Sequence, residues 1–212
     1  MSLHLLLVDQ MICPRCGPEF GLVLWADKMK ERRVLEGYLG CSNCRDKFLV
    51  VDGCADLRLN SNSEEGSGPS WIPGNLPTGI EIASLLGLTE ENGNVALIGH
   101  LASRIGDLSQ ITPNFEFVGI SYEKVVTDRL IDVDRSNNIS VGSRLPFRSR
   151  CFRGLVVSGK ERSSCMQEVV RVLAPNGRLV VWQTTKELNE FFEDQGLRIV
   201  MQDNDVVVMS SI

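Results

Sequence analysis

Two Cys-x-x-Cys motifs constrain the first quarter of this 212-residue chain more than any other feature. Cys13 and Cys16 form the first motif, Cys41 and Cys44 form the second, and 24 residues separate them. Each motif curls the backbone so that both sulfurs face one point, and four thiolates are a common ligand set for tetrahedral zinc. Such a site has no open coordination position, so it predicts structural rather than catalytic zinc. The alternatives are ordinary buried thiols, or disulfides in an exported protein.

The separation between the two motifs exceeds the roughly 15–20 residues of a compact zinc ribbon. Residues 26–36 are densely charged and are expected to occupy the excess as a charged helix or another excursion. Residues 1–9 lack a basic leader and their apolar run is short for a signal peptide, so they are predicted to form a first strand. Together these segments predict a zinc-ribbon module over residues 1–59.

The bulk composition is that of a soluble globular protein, with 43% hydrophobic and 23% charged residues. A net charge of −5 argues against non-specific nucleic-acid binding, although a local basic patch stays compatible with it. No apolar run reaches the roughly 18 residues that span a bilayer, so no membrane partner is expected. Cysteines used for metal binding predict a cytoplasmic protein, or one in another reducing intracellular compartment.

Residues 60–77 are rich in Gly, Ser, Pro and Asn and are predicted to be a linker. Over residues 78–212, strand and helix patterns alternate, which is typical of a parallel sheet with crossover helices. The last two strands are predicted to form a hairpin through Asp203 and Asn204. Thr78, with Glu81 three residues later, is predicted to cap the first helix. The predicted strands cover 94–99, 115–120, 139–141, 153–158, 178–182, 197–201 and 205–209, and the predicted helices cover 78–87, 101–110, 122–131, 161–173 and 185–195.

The stretch from Val95 to Ser103 is predicted to be a buried strand, a turn and a helix, the place where an open α/β sheet normally holds a nucleotide. Such a turn uses small residues so that the backbone can approach the ligand, and an acidic residue nearby holds sugar hydroxyls. Here Gly99 is the only glycine, and Leu101 and Ser103 stand where further glycines would help. No carboxylate lies in the stretch. The turn therefore lacks the residues that a nucleotide would need.

Residues 10–60 resemble the small zinc-ribbon family that activates methyltransferases, including those acting on tRNA, rRNA and release factors. The resemblance rests on knuckles at 13–17 and 40–44, followed by the apolar strand and Val-Asp-Gly turn of 48–58. It implies that the four knuckle cysteines bind zinc. It also implies that the module adds a strand to a methyltransferase sheet, docking through its sheet edge and the apolar face around residues 48–51.

Residues 78–212 are similar to class I S-adenosylmethionine-dependent methyltransferases. Leu145-Pro146-Phe147 followed by Phe152 is similar to one family segment, and residues 168–179 are similar to the family's helix-turn-strand signature. The resemblance implies a Rossmann-like α/β fold whose mostly parallel sheet ends in an antiparallel hairpin.

The same resemblance shows that the cofactor contacts are replaced. Aligned on Gly99, the family's acidic residue is Leu97, and its next two glycines are Leu101 and Ser103. The acid that ends the second strand is replaced by Ser121, with Glu123 as a displaced substitute. Leu97, Leu101 and Ser121 are therefore expected to line the pocket. Residues 142–144 stand where the adenine-binding aspartate belongs, and Arg153 replaces the aspartate that follows Phe152.

Each lost hydrogen bond to a charged acceptor costs about 1.5–3 kcal/mol. Two or three such losses weaken binding by a factor on the order of 10³. Gly99 and Ser121 are therefore interpreted as vestiges of a cofactor site, no residue is assigned a catalytic role, and S-adenosylmethionine is not expected to bind. The alternative is a divergent but working site that uses backbone contacts and Glu123.

Several other residues have competing interpretations. His100 is expected to be a turn residue, with a general-base role at the crevice as the alternative. Cys54, Cys151 and Cys165 are expected to be packing residues. The basic residues are interpreted either as a solvated face or as a patch that contacts RNA; they are Arg144, Arg148, Arg150, Arg153, Lys160 and Arg162.

The sequence thus predicts a zinc-binding pseudo-methyltransferase that acts by binding, as a scaffold or activating subunit of a methyltransferase or of a larger protein or ribonucleoprotein assembly. A protein partner is expected. The alternatives are an active S-adenosylmethionine-dependent methyltransferase for RNA or protein with an N-terminal zinc module, and an RNA-binding protein without catalysis.

Overall fold

The computed structural model describes residues 3–59, 76–89, 92–123 and 135–211. Thirteen strands in these residues join one sheet, in the order β12-β13-β11-β10-β7-β8-β9-β6-β5-β4-β3-β2, with β1 paired to β4. The strands are β1 (Leu3–His4), β2 (Ile12–Cys13), β3 (Gly17–Lys30), β4 (Arg33–Cys41), β5 (Lys47–Val51), β6 (Cys54–Asp56), β7 (Gly93–Ile98), β8 (Phe115–Ser121), β9 (Ser136–Ser140), β10 (Phe152–Ser158), β11 (Leu173–Trp182), β12 (Leu197–Asp203) and β13 (Val206–Ser211). The helices are α1 (Leu5–Val8), α2 (Gly79–Leu86), α3 (Ile105–Ile111), α4 (Ser163–Val172) and α5 (Lys186–Asp194), and a 3-10 helix spans Gly99–Arg104.

The C-terminal part of the sheet has the predicted arrangement. Strands β9, β8, β7, β10 and β11 run parallel to one another, and β13 lies antiparallel between β11 and β12. The predicted Rossmann-like α/β fold is therefore confirmed. The predicted helix over 122–131 and most of the predicted linker lie outside the described residues.

Side chains pack on both faces of this sheet. One core layer includes Ile98, Ile120 and Val157 together with the interior of the N-terminal strands, and the other includes Leu97, Phe117 and Val156. Alternation along each parallel strand thus sends neighbouring residues into opposite layers, as expected of a sheet that is covered on both sides. Within the part of the chain that is described, no helix is both long and apolar enough to cross a membrane.

Of the two forms predicted for residues 26–36, a charged helix or another excursion, the structure has the second. The residues form the tip of the β3–β4 hairpin, which turns through Glu31 and Arg32, both with positive φ. The charged side chains fit an exposed ribbon, where Lys28 lies opposite Glu36. The prediction of a first strand over residues 1–9 is wrong in part. Among residues 3–9 only β1 is extended, and α1 buries Leu7 and Val8, because an unbroken apolar run does not distinguish strand from helix.

The N-terminal strands join the C-terminal sheet within the same chain. Strand β6 pairs in parallel with β9, aligning Ala55 with Ile139, and the backbone N–H of Leu57 donates to the carbonyl of Ser140 at 2.8 Å. The β6 edge of the module is thus occupied by its own chain. The predicted docking face around residues 48–51 is also divided, because Phe48 and Val50 are buried while Leu49 and Val51 are exposed.

A second contact joins the segment before the first cysteine to the segment before β10. The backbone of Met11 bridges that of Phe147, and the N–H of Ile12 donates to the carbonyl of Pro146 at 3.0 Å. On α4, Arg171 holds this second segment by donating to the carbonyls of Leu145 and Phe147.

A third contact is an ion pair between the two parts of the chain. Arg33 Nη2 on β4 lies 2.8 and 3.0 Å from the two carboxylate oxygens of Glu116 on β8. Asn137 on β9 reinforces the contact, because its side chain donates to Glu116 and accepts from the backbone N–H of His4. Three separate contacts therefore fix the module against the rest of the sheet.

The predicted capping box begins α2 as expected. The N–H of Glu81 donates to Thr78 Oγ1 at 3.2 Å, and the N–H of Thr78 donates to the Glu81 carboxylate at 2.7 Å. The Thr78→Ala variant is expected to unfold with a free energy lower by about 1 kcal/mol, because it removes one cap. Chemical denaturation measures this loss, and the exposed Ser84→Ala on the same helix should leave the midpoint nearly unchanged.

Candidate functional site

The two Cys-x-x-Cys motifs come together beside the start of β3. The sulfurs of Cys13, Cys16, Cys41 and Cys44 all lie within 4.8 Å of one another. The Cys13 and Cys44 sulfurs are 3.6 Å apart and those of Cys16 and Cys41 are 3.8 Å apart. These separations are far longer than the roughly 2.05 Å of a disulfide, and all four cysteines are free thiols.

The geometry fits a tetrahedral metal ion. Four sulfurs, each about 2.3 Å from a central ion, are separated by about 3.8 Å along the edges of the tetrahedron. The two cross-motif distances match this edge. Because all four positions are filled by protein, the ion would have no site for water or substrate. The structure thus brings together the four residues that were predicted as metal ligands.

Polar groups around the cluster support bound thiolates. The Asn43 side chain donates to the Cys16 sulfur at 3.3 Å, and the backbone N–H of Cys16 points to the Cys13 sulfur at 3.4 Å. Burial raises the pKa of the Cys41 thiol, but hydrogen bonds from the Cys44 and Asn43 backbone outweigh burial and lower that pKa to about 7. These donors favour the charged form that binds metal at Cys41, whereas burial raises the pKa of the Cys44 thiol to about 12 and also raises the pKa of Cys13.

The predicted nucleotide crevice lies at the carboxyl ends of β7, β8 and β10, and we call this region the crevice. Gly99 directly follows β7 and begins the 3-10 helix. Its backbone lies in the left-handed region, with φ at 66°. Leu101 is buried in the helix-covered core layer. Leu97 is fully buried in the same layer, so the prediction that it lines the crevice is wrong: its position in the strand alternation turns it toward the core.

Ser121 stands at the predicted place, at the end of β8. Its hydroxyl accepts a hydrogen bond from the backbone N–H of Glu123 at 3.1 Å. The hydroxyl therefore has a local partner, and the segment forms a turn of the kind that serine side chains stabilise.

The sequence analysis did not single out Glu161, which reaches the crevice from the loop after β10. A Cβ atom built on Gly99 would collide with the carboxylate oxygen Oε1 of Glu161. Because Gly99 has no Cβ atom, the Glu161 side chain can lie against its backbone. This is the space where a ligand would approach the turn. The feature of the sequence that could have indicated Glu161 is its position, three residues beyond the end of a buried parallel strand.

The Glu161 carboxylate is strongly perturbed. The side chain is buried, and its second oxygen, Oε2, has no hydrogen-bond partner among the described residues. Burial raises the pKa of Glu161 to about 7, although the neighbouring positive charge of Arg162 opposes the shift. A carboxyl group that is protonated near neutral pH lies against the glycine of the crevice.

This pKa predicts a pH-dependent stability. The unfolded chain releases the Glu161 proton near its ordinary pKa of 4.5 and the folded chain near 7, so the free energy of unfolding falls as pH rises between these values. The Glu161→Gln variant should lack this fall and exceed the wild type by on the order of 2–3 kcal/mol at pH 8. Urea denaturation at pH 5 and pH 8 measures the difference, with exposed Glu123→Gln as the control.

The remaining candidates have other surroundings than Glu161. His100 directly follows Gly99 and is exposed on the 3-10 helix. Burial raises the pKa of Cys54 to about 11 and those of Cys151 and Cys165 to about 12, which suits packing rather than reactive thiols.

The basic stretch does not form one surface. Arg153 lies near the start of β10, whereas Lys160 and Arg162 follow its end, a distance of roughly 20 Å along a strand. The guanidinium group of Arg144 lies near Gly17 of the module, and that of Arg148 lies near Gly21. The predicted patch is therefore divided among three places.

Comparisons with known proteins bear on the fold. No protein-family model matches the sequence, and no curated protein matches it either. The geranyl diphosphate C-methyltransferase of Streptomyces coelicolor A3(2) is similar in structure, with a TM-score of 0.54 and 9% identity over 63% of this chain and 75% of that one.

Two further structures resemble the chain at TM-scores below 0.5. A TehB-like SAM-dependent methyltransferase from Corynebacterium glutamicum has a TM-score of 0.49 and 17% identity over 65% of this chain and 89% of that one. The 1,6-didemethyltoxoflavin-N1-methyltransferase of Burkholderia thailandensis has a TM-score of 0.46 and 12% identity over 63% and 76%.

The strand order and the Streptomyces overlay together define the class: this chain contains the Rossmann-like fold of class I methyltransferases. To this fold it adds, in the same sheet, an N-terminal module with a four-cysteine cluster. The resemblance of that module to the methyltransferase-activator family stays a prediction.

Proposed function

We propose that this protein is a zinc-binding pseudo-methyltransferase that acts by binding rather than by catalysis. The observation that carries the proposal is the Glu161 side chain over Gly99. In this fold class a methyl donor contacts the backbone of the glycine turn. Here the buried carboxyl group of Glu161 occupies the space that the donor would need. Leu101, buried beside the turn, and Ser121, without a carboxylate, remove further contacts.

Zinc in this proposal is structural. The four sulfurs have the separations of a tetrahedral site and no open position, so the ion would hold the two knuckles together. Because Ile12, next to Cys13, donates to Pro146, the ion would also fix one of the contacts between the module and the methyltransferase-like fold. The module would thus stabilise the methyltransferase-like fold of its own chain, whereas the activator family that it resembles binds a separate methyltransferase.

The partner in this proposal is a protein in a larger assembly. Strand β6 is already paired, so the partner would contact the outer face of the module instead. There Val23, Trp25, Leu49 and Val51 are about half exposed or more, and Trp25 stacks in parallel with Tyr38 at 5.8 Å between ring centroids. Contiguous apolar and aromatic groups of this kind are typical of protein interaction sites.

One observation favours the second candidate function, an active S-adenosylmethionine-dependent methyltransferase. The Glu161 oxygen Oε2 is buried and lacks a hydrogen-bond partner among the described residues. An acid in this place could receive an ammonium or hydroxyl group of a cofactor, in substitution for the missing acids at Leu97 and Ser121.

Isothermal titration with S-adenosylmethionine and S-adenosylhomocysteine separates the two functions. We expect no binding by the wild type up to millimolar ligand, and no loss, or a gain, in Glu161→Ala, because this variant clears the space over Gly99. Micromolar binding by the wild type would contradict the pseudoenzyme, and its disappearance in Glu161→Ala would support the second function. The Glu19→Ala variant is the control, because it removes an exposed acid on β3 of the module, outside the crevice.

A further inference from the structure

Strand β12 forms one edge of the thirteen-stranded sheet, and among the described residues it pairs only with β13. Leu197 is buried, but every residue from Arg198 to Asp203 is exposed. This stretch includes three consecutive apolar residues, Ile199, Val200 and Met201, which are 36%, 54% and 40% exposed. An uncovered edge strand presents unpaired backbone N–H and C=O groups, and apolar side chains on both of its faces favour pairing with another strand.

A β-bulge changes the alternation of this strand. Ile199 lies opposite Met209 and Met201 lies opposite Val208, so Val200 is the extra residue. As a result, Arg198 lies opposite Ser210 and Asp203 lies opposite Val206, and these two partners are four residues apart on β13. Residues an even number apart on a strand share a face, so Arg198 and Asp203 share one as well.

Without the bulge, two residues five positions apart would point to opposite faces of the sheet. With it, β12 becomes complementary to itself. In an antiparallel pair of two β12 strands centred between Val200 and Met201, Arg198 lies opposite Asp203 of the second copy. Ile199 then lies opposite Gln202, and each opposing pair shares a face, as an antiparallel ladder requires.

We propose that this protein forms a symmetric dimer through β12, in which two sheets join edge to edge about a two-fold axis. The same patch on both copies makes the contact, and each dimer contains two Arg198–Asp203 pairs. The apolar residues at the centre lose solvent contact when the edges join. The dimer does not depend on the crevice or on the metal cluster.

Sedimentation equilibrium of the full chain over about 1–100 µM tests the dimer, with reversed charges as variants. The wild type should dimerise. Arg198→Asp and Asp203→Arg should each raise the dimer dissociation constant by about tenfold or more, because each places like charges opposite one another twice. The double variant restores both pairs and should return the dissociation constant to within about threefold of the wild type.

Three outcomes would overturn the proposal: a wild type that is monomeric throughout the range, single variants that dimerise as the wild type does, or a double variant that stays as weak as the single ones. Leu49→Asp is the control for the other exposed apolar surface, because Leu49 is 62% exposed on the module. A dimer lost in Leu49→Asp but not in Arg198→Asp would place the interface on the module instead. Thermal unfolding followed by circular dichroism verifies that every variant is folded.

Discussion

The Cys41→Ser variant is expected to lose stoichiometric zinc and, with it, the folded N-terminal strands. Structural zinc contributes about 10–16 kcal/mol to the folding of four-ligand modules, whereas a whole domain is stable by only about 5–15 kcal/mol. Serine cannot replace a thiolate ligand at neutral pH, so the loss exceeds what the remaining contacts can offset. Metal content after dialysis and the amplitude of the thermal transition both measure the effect.

Cys151→Ser is the matched control, because Cys151 is a free, half-buried cysteine outside the cluster. It should retain one zinc ion per chain and most of the wild-type stability. A Cys41→Ser protein that retains stoichiometric zinc and the wild-type transition would show that the cluster is only a group of buried thiols.

The Phe147→Ala variant is expected to lower the free energy of unfolding by about 3–5 kcal/mol. Phe147 is fully buried, and its ring packs edge-to-face on Phe152 at 4.9 Å between centroids. Its backbone also bridges Met11 of the module, so the cavity opens where the two parts of the chain meet. Denaturant unfolding measures the loss.

Hydrogen exchange identifies where the damage spreads. In Phe147→Ala the amides of residues 11–13 should exchange at least tenfold faster, because their partner segment is loosened. Phe115→Ala removes an equally buried ring from the opposite core layer and should cost a similar free energy without this local acceleration. Equal exchange at residues 11–13 in the two variants would contradict a specific role for Phe147 in the junction.

Local patterns predicted those parts of the fold that depend on local chemistry. Apolar runs located β7, β8 and β10 to within one residue and the second half of β11, and the Thr78–Glu81 spacing located the start of α2. The cysteine spacing identified four residues that indeed converge, because the two knuckles of such a module can satisfy a shared ion only together.

Patterns did not predict contacts that join distant segments. The pairing of β6 with β9 has no local signature, because Ala55 and Ile139 are ordinary strand residues. Glu161 was missed because its location over Gly99 depends on the path of a loop, and a single charged residue near a helix start is usually solvated. Leu97 was assigned to the crevice by alignment, although strand alternation turns it inward.

The contacts of the module with β8 and β9 also affect how the chain is made on the ribosome. The backbone N–H of His4 donates to the side chain of Asn137, which is synthesised 133 positions later. Strand β6 likewise cannot pair until β9 has been synthesised. Such non-local pairing is slow, since the intervening chain must close a long loop first. During translation the nascent module therefore carries an open strand edge until residues 136–140 emerge, and a chaperone that shields this edge should raise the yield of native protein.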